Sequence, residues 1–271
     1  MPIASPLVGY SYTTDLVGET DARPYLFLEH ALQPRHASPF RLHPADHRTF
    51  IVIEGKVEVE CLDESDNLTS KGFGRLSGWH AVPGSVYRIT NAGEQPAVFL
   101  EAGTAYGEIR EAAEFKLLTH GPRSDARCEE VSTYTVNKPW GYEIWYTQNI
   151  SGLPYAVKQI HMTTGHKSSL QSHRYKRETN YVVEGEATVL DGLLAPDDLD
   201  AVVEVDRLTT TDYRPRSGWS SAPNVLHRVI ARTDYTSIEV STPELDDVIR
   251  WQDDTGRSHG RIDAEHSEAR R

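Results

Sequence analysis

Two stretches of this chain occur twice, in the same order. Phe50 to Val59 (FIVIEGKVEV) returns 130 residues later as Asn180 to Val189 (NYVVEGEATV). Ser77 to Ile89 (SGWHAVPGSVYRI) returns 140 residues later as Ser217 to Val229 (SGWSSAPNVLHRV), the ten extra residues fitting the acidic loop around Ala195 to Ala201. Ordered matches of this kind mark a duplicated structural unit. The unit is predicted to be built from strands. The runs Thr49 to Glu60, Ala97 to Ala102, Tyr155 to Met162, Asn180 to Leu190 and Ser237 to Ser241 are rich in β-branched and aromatic residues, often alternating, and Gly, Pro and Asp turns separate them. Short strands between such turns close into a barrel or sandwich. Helical pattern is confined mainly to Glu108 to Leu118, where Ile109, Ala112, Ala113 and Leu117 come near helical spacing. The expected organisation is a first unit over residues 1–104, a helical and polar linker over 105–131, a second unit over 132–252 and a polar tail over 253–271.

The net charge of −12 argues against a nucleic-acid partner, because binding a phosphate backbone needs an excess of Lys and Arg on one face. The opening MPIASPLVGY has no basic n-region or sustained apolar core, and no later run approaches the ~20 apolar residues of a membrane span. A cytoplasmic protein with no membrane partner is expected, monomeric or homodimeric. Cys61 and Cys128 lie far apart in sequence and at no metal-ligand spacing, so both are read as reduced thiols.

The chemistry concentrates between Gly165 and Gly185, GHKSSLQSHRYKRETNYVVEG. Residues two apart on a strand project from one face, so Gln171 and His173 point the same way. Glu178 then returns on the next strand, before the turn at Gly185. The spacing Gly165, Gln171, His173, Glu178, Gly185, followed later by His227, resembles the two motifs of the cupin superfamily. That resemblance implies an all-β fold of two tandem cupin barrels, each a double-stranded β-helix or jelly roll, joined by a short helical linker. It also implies one divalent ion held by Gln171, His173, Glu178 and His227. A mixed nitrogen and oxygen set suits Zn, Mn, Fe, Co or Ni, with zinc taken as the leading candidate. At the same register the first unit has Arg41, His43, Arg48 and Tyr87. A guanidinium has donors only and cannot ligate a cation, so this degenerate barrel is expected to be metal-free, with His47 and His80 off register.

Further blocks are KPWGYE (Lys138 to Glu143), VKQIHMTTGHKSSLQSH (Val157 to His173), the His227-Arg228 pair and DDVIRWQDDTGR (Asp246 to Arg257). With them, Tyr134 to Ile262 resembles the cupin domain of type II mannose-6-phosphate isomerases, often fused to a mannose-1-phosphate guanylyltransferase. The chain departs from that family at Arg174 and Tyr175, where further histidines are usual, and it has no glycine after Pro223. The resemblance implies a metal-dependent aldose–ketose isomerase acting on mannose 6-phosphate and fructose 6-phosphate or a related sugar. Lys158 and Lys167 match family positions and are the candidate catalytic bases, since a lysine near a cation has a lowered pKa. Lys138, Arg228 and Arg257 are the family-matched cations for a phosphate, Arg228 first among them. Trp140, and with it Trp219, is placed to stack on a sugar ring or to fill the core. Arg174, Lys176 and Arg177 read as a solvated basic run. Two other functions fit a cupin site: an Fe(II) oxygenase, and a non-catalytic sugar-binding or regulatory bicupin, the latter motivated by the decayed first unit.

Overall fold

The computed structural model describes residues 10–17, 24–63, 65, 67–104, 108–118, 128–147, 150 and 152–267. The chain divides into two compact units, Met1–Val131 and Ser132–Arg271. In the first, one sheet runs in the order Tyr10–Asp15, Leu26–Leu32, Ala97–Gly103, Arg48–Glu54, Gly78–Ala81, Cys128–Glu130. The other runs Arg110–Ala112, Phe40–Leu42, Val86–Asn91, Val57–Leu62, Leu68–Phe73, with His36–Ala37 also paired to Val86–Asn91. The second unit repeats the plan. One sheet runs Tyr134–Lys138, Gly141–Trp145, Ala156–Met162, Tyr235–Ser241, Glu178–Glu184, Gly218–Ser221; the other runs Thr209–Tyr213, Ala187–Leu194, Val225–Ala231, Leu170–Ser172, Ile249–Gln252.

The repeat holds residue by residue. Arg41 pairs with Tyr87 as Gln171 pairs with His227, and Phe50 pairs with Trp79 as Asn180 pairs with Trp219. The shared Ser-Gly-Trp has a physical cause in both copies. Ser77 Oγ closes its turn by donating to Gly74 O at 2.7 Å, and Ser217 Oγ does the same to Arg214 O at 2.6 Å. A Cβ on Gly78 would stand 1.9 Å from Phe50 O, and one on Gly218 would stand 2.1 Å from Asn180 O, so only glycine lets these strands approach. The tryptophans that follow are buried, Trp79 against Phe50, Phe73 and Phe99 and Trp219 against Tyr213. Trp219 is therefore a core residue and not a sugar platform.

Residues 108–118 do not form the predicted helix. Arg110–Ala112 is a strand paired with Phe40–Leu42, and Phe115–Leu117 is one 3₁₀ turn. Phe115 and Leu118 pack on Phe40 and Leu42, whereas Ile109 and Leu117 are exposed, so the apolar positions do not make the single stripe a helix needs. Linker residues 105–107 and 119–127 lie outside the described residues. The fold also brings the two cysteines together: the Cys128 backbone N–H donates to Cys61 Sγ at 3.1 Å, and both remain thiols. Among the described residues no helix is long and apolar enough to cross a membrane.

Candidate metal centre

Four predicted ligands converge inside the second barrel. Gln171 lies on Leu170–Ser172 with His173 just beyond it, Glu178 opens Glu178–Glu184, and His227 is the third residue of Val225–Ala231. Donor atoms of His173, Glu178 and His227 all lie within 4.8 Å of one another, and the three residues are buried. His173 Nε2 stands 3.6 Å from Glu178 Oε2, and His227 Nε2 stands 3.3 Å from Glu178 Oε1.

Backbone carbonyls set both imidazole tautomers. His173 Nδ1–H donates to Asp247 O, and His227 Nδ1–H donates to Val225 O at 3.1 Å. Each ring therefore turns an unprotonated Nε2 toward the carboxylate, which is the arrangement that prepares a histidine to ligate. Burial, with the Lys176 ammonium adding to it, pushes His173 down to about 3, so the ring is neutral. His173 Nε2 is buried with no hydrogen-bond partner, a costly state for a polar atom that nothing satisfies. Two imidazoles and a carboxylate around one point fit a divalent cation. Gln171 Nε2 donates to His227 Nε2 at 3.3 Å while Oε1 accepts from Ser169 Oγ at 2.8 Å, so the amide turns its nitrogen, not its oxygen, toward the other three residues.

A chain of alternating charges runs from this cluster along the cavity wall. Lys176 Nζ bridges Glu178 Oε2 (2.6 Å) and Glu239 Oε1 (2.8 Å); Lys158 Nζ bridges Glu239 Oε2 (3.4 Å) and Glu143 Oε1 (3.1 Å). Lys138 Nζ then bridges Glu143 Oε2 (3.4 Å) and Glu265 Oε2 (2.8 Å). Burial penalises a lone charge here, and each group in the chain has an oppositely charged neighbour. Glu143 is the clearest case: burial raises its pKa, but Lys158 and Lys138 more than reverse this and bring it to about 2. A carboxyl that ionises more easily folded than unfolded adds stability above its unfolded pKa of ~4.5, and that stability is lost as pH falls toward about 2. Urea titrations of metal-free protein between pH 5 and pH 2.5 are expected to show this loss. Glu143→Gln is expected to flatten the slope.

Several predicted site residues behave differently from expectation. Lys158 lines the cavity, but its pKa is not lowered: burial depresses it, and Glu143 and Glu239 outweigh burial and leave it raised. Its two carboxylate partners favour the ammonium form in the metal-free chain, against the expected role as base. Lys167 lies outside this cavity, exposed and paired with Asp254 at 3.0 Å. Arg228 also lies outside it, donating to Gln252 O at 3.0 Å, because a strand residue next to inward-facing His227 points to the opposite face. Lys138, Trp140 and Arg257 do line the cavity. Lys176, read as solvated, is buried beside Glu178. Glu239 was not anticipated, although an acid inside an apolar strand recurs in both halves as VFLEAG and SIEVS.

The first barrel fills the same place with a salt-bridge cluster. Glu101, at the position of Glu239, accepts from His30 Nε2 at 2.8 Å and lies 3.8 Å from both Arg41 Nη1 and Arg48 Nη1. His43 Nε2 and Tyr87 hydroxyl are 2.9 Å apart. Guanidiniums and a phenol thus stand where the second barrel has an amide, a carboxylate and an imidazole.

No protein-family model and no curated protein sequence matches the chain. Its backbone does resemble solved structures. Lactobacillus farciminis oxalate decarboxylase, solved as a formate complex, superposes with a TM-score of 0.63 at 10% identity, covering 92% of this chain and 86% of that one. The coconut allergen cocosin superposes at 0.64 with 10% identity, covering 89% and 84%. The chain has the bicupin fold. A Bacillus subtilis oxalate decarboxylase, whose Mn(II) centres have been characterised, is also similar at 0.61 and 12% identity, covering 93% and 76%. One bicupin neighbour is an enzyme and another an 11S-type globulin, so the fold leaves activity to the site. The isomerase resemblance rests on the sequence blocks alone.

Proposed function

We propose that the second barrel is a divalent-metal-dependent enzyme that interconverts the aldose and ketose forms of a sugar or sugar phosphate. The observation that carries this reading is the single cavity joining the His173–Glu178–His227 cluster to the buried chain of lysines and carboxylates. Moving a proton between adjacent carbons through an enediolate requires a proton acceptor and cations against the developing oxyanion. Gln171, His173, Glu178 and His227 would hold the ion, which supplies Lewis-acid polarisation of a carbonyl and its neighbouring hydroxyl. Lys158 contributes a fixed ammonium charge. Glu143, Glu239 and His266 are the proton acceptors on the cavity wall; burial lowers the pKa of His266 and favours its neutral ring. Trp140 supplies an apolar face. The donor set does not single out zinc, and the Mn(II) centres of the Bacillus bicupin make manganese the first ion to load.

Metal-loaded protein in D₂O is expected to interconvert mannose 6-phosphate and fructose 6-phosphate, or a related pair, with deuterium entering at C2. Metal bound with neither turnover nor exchange across phosphorylated and free sugars would refute the reading. Sugar binding without turnover would mark a non-catalytic bicupin instead.

A further inference from the structure

Six basic side chains and three acidic ones line the cavity, in a chain whose net charge is −12. The excess has a focus. Glu265, on the short helix Asp263–Ser267, places one carboxylate between Lys138 Nζ at 2.8 Å and Arg257 Nη1 at 3.4 Å. Both cations are anchored without it. Lys138 also faces Glu143, and Arg257 holds Asp253 through Nε at 3.0 Å and Nη2 at 2.6 Å, leaving Nη1 alone for Glu265.

The segment that brings Glu265 is held differently from the chain before it. Through Gly260 the backbone is tied down: Gly260 N donates to Val248 O at 2.7 Å, and Arg250 Nη1 donates to the carbonyls of Ser258 and Gly260. Gly260 itself has φ of +75°, a conformation in which glycine is unstrained. Among the described residues, the segment past Gly260 makes no backbone hydrogen bond to the barrel and is held by side chains such as Glu265 and His266. Arg261, Ile262 and His266 of that segment form part of the cavity wall. The cavity, partly open to solvent, holds about 110 Å³, well below the ~300–1,000 Å³ of small-molecule sites. Withdrawal of the segment would widen this space toward the size of a sugar.

We propose that Lys138 and Arg257 form an anion subsite which Glu265 occupies in the closed chain, and that a phosphate or carboxylate group of the substrate displaces it. Glu265 is then a built-in competitor that latches residues 261–267 over the cavity until an anionic substrate takes its place. The inference rests on reading this cavity as a substrate site.

The test is binding of inorganic phosphate, and in parallel acetate, to the full-length metal-loaded chain by calorimetry. Glu265→Gln is expected to tighten phosphate at least tenfold. Asp263→Asn, which removes the same charge from an exposed neighbour, is expected to leave the affinity within twofold of wild type. Lys138→Met in the Glu265→Gln background is expected to remove the gain, and Arg257→Gln in that background provides the same check if the first double variant does not fold. Tightening of phosphate alone assigns the subsite to phosphate; tightening of both anions assigns it to oxyanions in general. Unchanged phosphate affinity in Glu265→Gln, or a gain that survives both double variants, would overturn the proposal. No step needs turnover, so an inactive protein with the expected phosphate response refutes only the isomerase reading. An active isomerase without that response refutes only the subsite.

Discussion

His173→Ala is expected to lower divalent-metal affinity by at least ~100-fold, beyond the ~10–100-fold that outer-shell changes cost at metal sites. The expectation follows from how the ring is held. Its Nδ1–H is committed to Asp247 O, its Nε2 is buried without a partner, and burial keeps it neutral, so the lone pair is available at no cost in protons. Removing it leaves Glu178 and His227 with the amide of Gln171, a poorer donor. Competition titration with a chromophoric chelator measures the change. A loss under tenfold would mean that the ion, if bound, is held elsewhere.

Lys176→Met is expected to produce the largest loss of stability. Its ammonium is buried between two buried carboxylates, and removing one partner from a buried charge cluster costs ~3–5 kcal/mol because the others remain uncompensated. At ~2–4 °C per kcal/mol for domains of this size, the melting temperature of the metal-free protein should fall by on the order of 10 °C. Bound metal should narrow the gap, since a cation at Glu178 replaces part of the missing charge. A change below ~1 kcal/mol in urea unfolding of the metal-free protein would contradict the charge chain described above.

The two barrels meet the same electrostatic requirement from different directions. Each buries an acid at one position, Glu101 or Glu239. The first balances it with Arg41 and Arg48, which stand at the registers of Gln171 and Glu178; the second uses Lys176 and Lys158 and leaves those registers to metal donors. Guanidiniums in place of an amide and a carboxylate thus fill the first barrel with a salt-bridge cluster where the second holds the candidate metal donors, within the same fold.

The fold was legible in the repeated strand pattern, and the convergence of Gln171, His173, Glu178 and His227 in the cupin-like spacing. Two-residue alternation placed Gln171 and His173 on one face, and the repeated Ser-Gly-Trp marked a strand junction that only glycine permits. The same alternation argues against Arg228, which was expected to bind phosphate but turns away from His227. The protonation of Lys158 was not legible: its partners Glu143 and Glu239 come from neighbouring strands, and only the sheet order Gly141–Trp145, Ala156–Met162, Tyr235–Ser241 brings them together. Lys176 sits between strands, where no period tells which way a side chain points. Residues 108–118 misled because Ala and Leu at near-helical spacing also suit a strand and a turn laid against Phe40 and Leu42. Glu265 lies in a polar tail whose sequence has no apolar stripe to show that it folds back over the cavity.

Anomalous diffraction from crystals grown with manganese is the most direct test of the central claim. One peak per chain is predicted, within bonding distance of His173 Nε2, His227 Nε2, a Glu178 oxygen and Gln171 Oε1, with none among Arg41, Arg48 and Tyr87. A peak in the first barrel, or none in the second at saturating metal, would contradict it.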